Sequence, residues 1–128
     1  MEIEFCQEAD IIVPIPLHWK RLILRQYNQA ALIAKHLGKI LGKPVDYKNL
    51  MRSSNTKSQE HQSRKSRQAN LENAFTVRED SFFKDKNILL IDDVMTTGAT
   101  LQEAAKVLKR ASPRNINCLS IARSVMEF

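Results

Sequence analysis

The chain is predicted to fold as an α/β domain, a Rossmann-like parallel sheet with helices on both faces. Three observations carry that expectation. Ile88-Leu89-Leu90-Ile91 is an unbroken apolar run, the pattern of a strand covered on both sides rather than one with a wet face. Stretches on either side of it, around Ala30 to Leu41 and Leu101 to Ala111, instead space their apolar residues for one face of a helix. Short apolar runs near Ile11, Val45 and Ile116 supply further strands, so strands and helices alternate along the chain.

In order, Asp10-Ile11-Ile12-Val13-Pro14-Ile15-Pro16 reads as a short buried strand that stops at its prolines, which lack the N–H a ladder needs. A basic connection follows, carrying His18, Arg21 and Arg25. A helix is expected from Asn28 as N-cap, with Ala30, Ala31, Ile33, Ala34, Leu37, Ile40 and Leu41 on its apolar face. Gly42 and Lys43-Pro44 supply the stop, and residues 45–47 a weak second strand. Residues 51–70 are polar and basic, and a mobile basic loop is expected at about 52–68. Such a loop either closes over an anion as a lid or stays a plain disordered connection.

Residues 75–77 suit a short strand, and residues 78–85 a surface turn. The run at 88–91 is the most continuous apolar stretch and is expected at the centre of the sheet. Thr100-Leu101-Gln102-Glu103 fits a capping box, which starts a helix at Leu101, and Ser112-Pro113 ends it. Residues 116–121 read as the last strand.

The chemistry is concentrated where the central strand would end. Asp92 and Asp93 are expected there as an exposed pair, followed by Val94-Met95-Thr96-Thr97-Gly98-Ala99-Thr100. In open α/β sheets, ligands bind at the carboxyl ends of the strands. A helix N-terminus favours an anion such as a phosphate monoester, and Gly98 lets backbone approach it closely. The acids repel phosphate but accept hydrogen bonds from hydroxyls, alone or with a divalent cation. A phosphorylated sugar has both parts. A nucleotide-binding P-loop does not fit, because no lysine follows the glycine and the G-x-x-x-x-G-K spacing is absent.

At 128 residues the chain is the length of one domain, taken here as residues 1–128. Its formal net charge of +6 favours anionic partners, whether a polyphosphate or nucleic acid, and equally fits a solvated basic surface. No apolar run approaches the roughly 18 residues of a membrane span, so no membrane insertion is expected. The start, Met1-Glu-Ile-Glu-Phe-Cys6, lacks a signal-peptide layout. Cys6 and Cys118 have no C-x-x-C spacing, which argues against a disulfide framework or zinc site and for a cytoplasmic protein.

Residues 88–100, Ile-Leu-Leu-Ile-Asp-Asp-Val-Met-Thr-Thr-Gly-Ala-Thr, resemble the phosphoribosyl-pyrophosphate motif of type I phosphoribosyltransferases. The resemblance implies that fold, with Asp92 and Asp93 as the catalytic-site acids on the ribose 2′ and 3′ hydroxyls. It implies that residues 94–100 cradle the 5′-phosphate, and that Mg²⁺ is held mainly through the substrate. Val13-Pro-Ile-Pro-Leu-His18, Arg21 and Arg25-Gln-Tyr-Asn-Gln29 are similar to the opening of ComF competence proteins, with Gln26 and Tyr27 in place of glycine and phenylalanine. Arg52, Thr56, Gln59, Arg67, Asn70 and Ala74-Phe75 continue that likeness, and Ala122-Arg123-Ser124 closes it, while Gln62 replaces a leucine. His18, Arg21 and Arg25 are thereby implied to contact pyrophosphate, and Arg64, Lys65 and Arg67 are lid candidates. ComF proteins usually carry an N-terminal zinc-binding module before the first strand; this sequence starts almost at that strand, so a truncated member, a domain fragment or the product of a divided gene is expected.

Two functional classes stay open on these grounds. One is an enzyme transferring a phosphoribosyl group to an unidentified acceptor. The other is a binding protein that senses phosphoribosyl pyrophosphate or holds single-stranded DNA during natural competence. A homodimer or a competence-machinery partner is compatible with either.

Overall fold

The computed structural model describes residues 7–16, 29–52, 74–92 and 98–120. Its elements, in chain order, are β1 (Ile11–Pro14), α1 (Gln29–Leu41), β2 (Leu50–Arg52), β3 (Phe75–Val77), a 3-10 turn (Asp80–Phe83), β4 (Asn87–Asp92), α2 (Ala99–Lys109) and β5 (Asn115–Ser120). β1, β4 and β5 form a parallel sheet in the order β1-β4-β5, so the apolar run predicted to be central is central. Val45 adds a single parallel bridge to Ile12 on the outer side of β1.

Both faces of this sheet are covered, and the alternation of side chains along the strands divides the core in two. Ile11, Val13, Ile88 and Leu90 pack with Leu101, Ala104, Val107 and Leu108 of α2. Ile12, Leu89 and Ile91 pack with Ala30 and Ala34 of α1 on the opposite face. Residues 88–91 are fully or almost fully buried, which explains why none of them is polar. At the amino end of the sheet, the Asp10 N–H donates to the Asn87 carbonyl (2.7 Å). The Asn87 N–H returns a bond to Asp10 Oδ2 (2.8 Å), fixing the β1–β4 register.

Four expectations are corrected. Leu50, Met51 and Arg52 form β2 and pair antiparallel with β3, so the polar segment begins after Arg52. Leu50 is buried there, and the Arg52 guanidinium lies 4.8 Å from the centroid of the Phe75 ring. Residues 78–85 are more than a surface turn, because Phe83 is fully buried in the α2-side core and meets Phe82 edge-on at 5.1 Å. Ile40 is 78% exposed rather than on the packed face of α1, where Gly38 takes the buried position near the helix end. The weak strand at 45–47 shrinks to its one bridge, since Asp46 turns the chain by accepting the Lys48 and Asn49 N–H groups (2.6 and 3.0 Å).

Gly42 ends α1 as expected, at φ 66°, with the Lys43 N–H donating back to the Gly38 carbonyl (3.0 Å). Gly38 itself is a close-approach position. A Cβ there would lie 2.7 Å from Val45 Cγ2 and 3.0 Å from the Lys43 carbonyl oxygen. Alanine favours helix over glycine by about 1 kcal/mol, yet overpacking of this kind costs about 1–3 kcal/mol. Gly38→Ala is therefore expected to lower stability in urea unfolding, and adding Val45→Ala to recover part of the loss. A stabilised single variant would contradict the packing.

Candidate functional site

β4 carries its last residue, Asp92, to the carboxyl end of the sheet, and Gly98 opens α2 at that same end. Asp92 remains in the ladder, opposite Ser120 of β5. It is only 9% exposed, which corrects the expectation of an exposed acid. By strand alternation it shares a face with Ile88 and Leu90, the face that α2 covers. It stands at the end of the central strand, as expected.

Gly98 is the N-cap of α2 at φ 80° and ψ 0°, left-handed backbone that suits glycine. Its carbonyl accepts the Gln102 N–H at 2.9 Å. The helix thus starts at Ala99, before the expected position, and Thr100 lies inside the first turn rather than capping it. No side chain caps this helix, and Glu103 does not complete the expected capping box: its Oε2 is buried without a hydrogen-bond partner. What remains is a helix start entered through a glycine, with the amino end of α2 at the sheet's carboxyl end, where a helix dipole favours an anion. Sequence spacing alone could not separate the two starts, since a Thr-x-x-Glu pattern reads as a cap wherever it falls.

Among the predicted site residues, Asp92, Gly98, Ala99 and Thr100 are thus brought to one end of the fold. Asp93, Val94, Met95, Thr96 and Thr97 lie outside the described residues, as do His18, Arg21, Arg25, Arg64, Lys65 and Arg67. The loop expected at 52–68 lies outside them too, apart from Arg52. Among the described residues, no three His, Cys, Asp or Glu side chains gather as metal ligands. No described helix is long and apolar enough to cross a membrane. Cys118, on β5, has a thiol whose pKa is raised above its usual 9.0 by desolvation, although the residue reaches the surface. It stays protonated at neutral pH and is no candidate nucleophile.

This arrangement of a central parallel strand, a terminal acid and a glycine-led helix belongs to a known class. A family model, the phosphoribosyl transferase domain, matches residues 28–124, and the chain belongs to that family. Within it the chain is ComF-like: it is 35% identical over 116 residues to competence protein F of Haemophilus influenzae, covering 90% of this chain and 51% of that one. It is 33% identical over 119 residues to the DNA utilization protein YhgH of Salmonella typhimurium, covering 93% and 52%. The chain spans about half the length of these curated relatives. Among solved structures it resembles purine phosphoribosyltransferase from Pyrococcus horikoshii, with TM-score 0.56 and 18% identity, covering 89% of this chain and 61% of that one. That likeness supports the type I phosphoribosyltransferase fold.

Gly98→Ala tests the helix start. A side chain in left-handed backbone costs roughly 1–2 kcal/mol, so this variant is expected to lose about that much unfolding free energy, read as a lower denaturant midpoint at unchanged m. An unchanged midpoint would show that Gly98 does not need its positive φ.

Proposed function

We propose that this domain binds 5-phosphoribosyl 1-pyrophosphate and transfers its phosphoribosyl group to an acceptor. The observation that carries the reading is the pairing of Asp92 with the glycine-led start of α2 at one end of the sheet. A carboxylate accepts hydrogen bonds from ribose hydroxyls, and a helix N-terminus receives the 5′-phosphate. Asp93 is the second diol acceptor in this reading, and residues 94–97 complete the phosphate cradle. Membership in the phosphoribosyl transferase domain family supports these assignments.

The carboxylate of Asp92, with Asp93 next to it in sequence, suits a Mg²⁺ that arrives with the substrate. Magnesium is commonly held by one or two carboxylates plus phosphate oxygens, and Asp92 with Asp93 offers that number. When bound, Mg²⁺ would supply charge neutralisation on the departing pyrophosphate. The chain's own contribution is to hold the ribose from both sides: acids at the hydroxyls, N–H groups at the phosphate. Negative charge close to the ring also favours the positive character that develops as pyrophosphate leaves. His18, Arg21 and Arg25 are proposed to contact that pyrophosphate, with Arg64, Lys65 and Arg67 as further cations.

The names of the Haemophilus and Salmonella relatives support placing this chemistry in the handling of DNA taken up by the cell. The excess of 20 Lys and Arg over 14 Asp and Glu supports a second reading, contact with single-stranded DNA through its phosphates.

Thermal unfolding tests the first reading. Phosphoribosyl pyrophosphate with Mg²⁺ is expected to raise the melting temperature, by a stabilisation of about 2.7 kcal/mol at a hundredfold excess over Kd. Asp92→Asn combined with Asp93→Asn should remove most of that rise. A double variant responding as fully as the parent would refute the diol assignment. Release of pyrophosphate on addition of an acceptor would separate turnover from binding alone.

A further inference from the structure

Ser120 is the last residue of β5 and the ladder partner of Asp92. Partnered residues in adjacent strands project to the same face, with the strands about 4.8 Å apart. Ile116, four residues earlier in β5, packs into the α2-side core, so alternation puts Ser120 on that side as well. Its Oγ is buried and has no hydrogen-bond partner. The residue as a whole is half-buried, yet its hydroxyl oxygen is enclosed, and a hydroxyl in that condition is a standing loss to the free protein. In the free protein the hydroxyl thus makes no bond that would stabilise the fold. Its position does suggest a use, because it stands at the end of the sheet where the ligand is proposed to bind, beside the acid that would hold the sugar.

We propose that Ser120 is a positioning residue for Asp92, its hydroxyl donating to that carboxylate when the carboxylate engages a sugar hydroxyl. This rests on Asp92 being a diol acceptor. The terminal torsion of an aspartate is broad, so one oxygen can turn to the sugar while the other meets a donor on the same face. A serine hydroxyl supplies one such proton and needs no change in charge. The unspent donor of the free protein becomes a bond in the complex, which directs binding energy to the orientation of Asp92.

An isosteric pair of variants tests this. Ser120→Thr keeps the hydroxyl and Ser120→Val replaces it with a methyl group in the same shape, while Ser120→Ala guards against overfilling the site. Without ligand, the Val or Ala variant is expected to melt no lower than the parent. The Kd for phosphoribosyl pyrophosphate with Mg²⁺, from calorimetry or thermal-shift titration, should rise on the order of tenfold in Val and Ala. It should stay within about twofold of the parent in Thr, since the hydroxyl is retained. Equal affinities for Thr, Val and Ala, with the parent still responding through Asp92, would overturn the role of Ser120 alone. A parent that shows no response to the ligand would overturn the reading of Asp92, and this proposal with it.

Discussion

Burial of β4 on both of its faces is the constraint from which the other elements take their positions. A strand with no polar side chain between residues 88 and 91 cannot sit at a wet surface, so it requires a neighbour on each edge and a layer on each face. β1 and β5 supply the edges, α1 and α2 the faces. Its polarity returns abruptly at Asp92, where the ladder ends. The position of Asp92 is therefore set by the length of an apolar run: one residue more, and the acid would point to the other face of the sheet.

The two ends of the sheet treat their polar groups differently. At the amino end, Asp10 and Asn87 exchange backbone and side-chain hydrogen bonds that spend their polar groups on register. At the carboxyl end, polar atoms are left over: the hydroxyl of Ser120 and one oxygen of Glu103 are buried without partners. Native interiors rarely keep such atoms, and where they do they tend to cluster at functional sites. Stability is thus secured away from the place where a ligand would need adaptable groups.

The fold was largely readable because its strongest signal is also its centre. The apolar run at 88–91, the helical spacing of Ala30 and Ala34, and the glycine stop at Gly42 are local patterns that the packing respects. The misreadings arise where a partner distant in sequence decides. Leu50 to Arg52 looks like the start of a loop until Phe75 to Val77 lies beside it. Phe83 looks like part of a turn until the α2-side core closes around it. At the site, the acid and the helix were legible as types, whereas the depth of Asp92 was not, because burial depends on the rung it shares with Ser120. The same rung hides Ser120 from sequence inspection, since a lone serine in a strand carries no signal of its own.

The β2–β3 ribbon has an implication for how this domain can vary. Arg52 and Phe75 are ladder partners, so these two positions, 23 apart in sequence, are held a single strand spacing apart. The ladder between β2 and β3 holds that separation. Lengthening a loop between clamped ends costs little, about 0.6 kcal/mol for each doubling. Insertions between these two positions would therefore cost the β2–β3 pairing little.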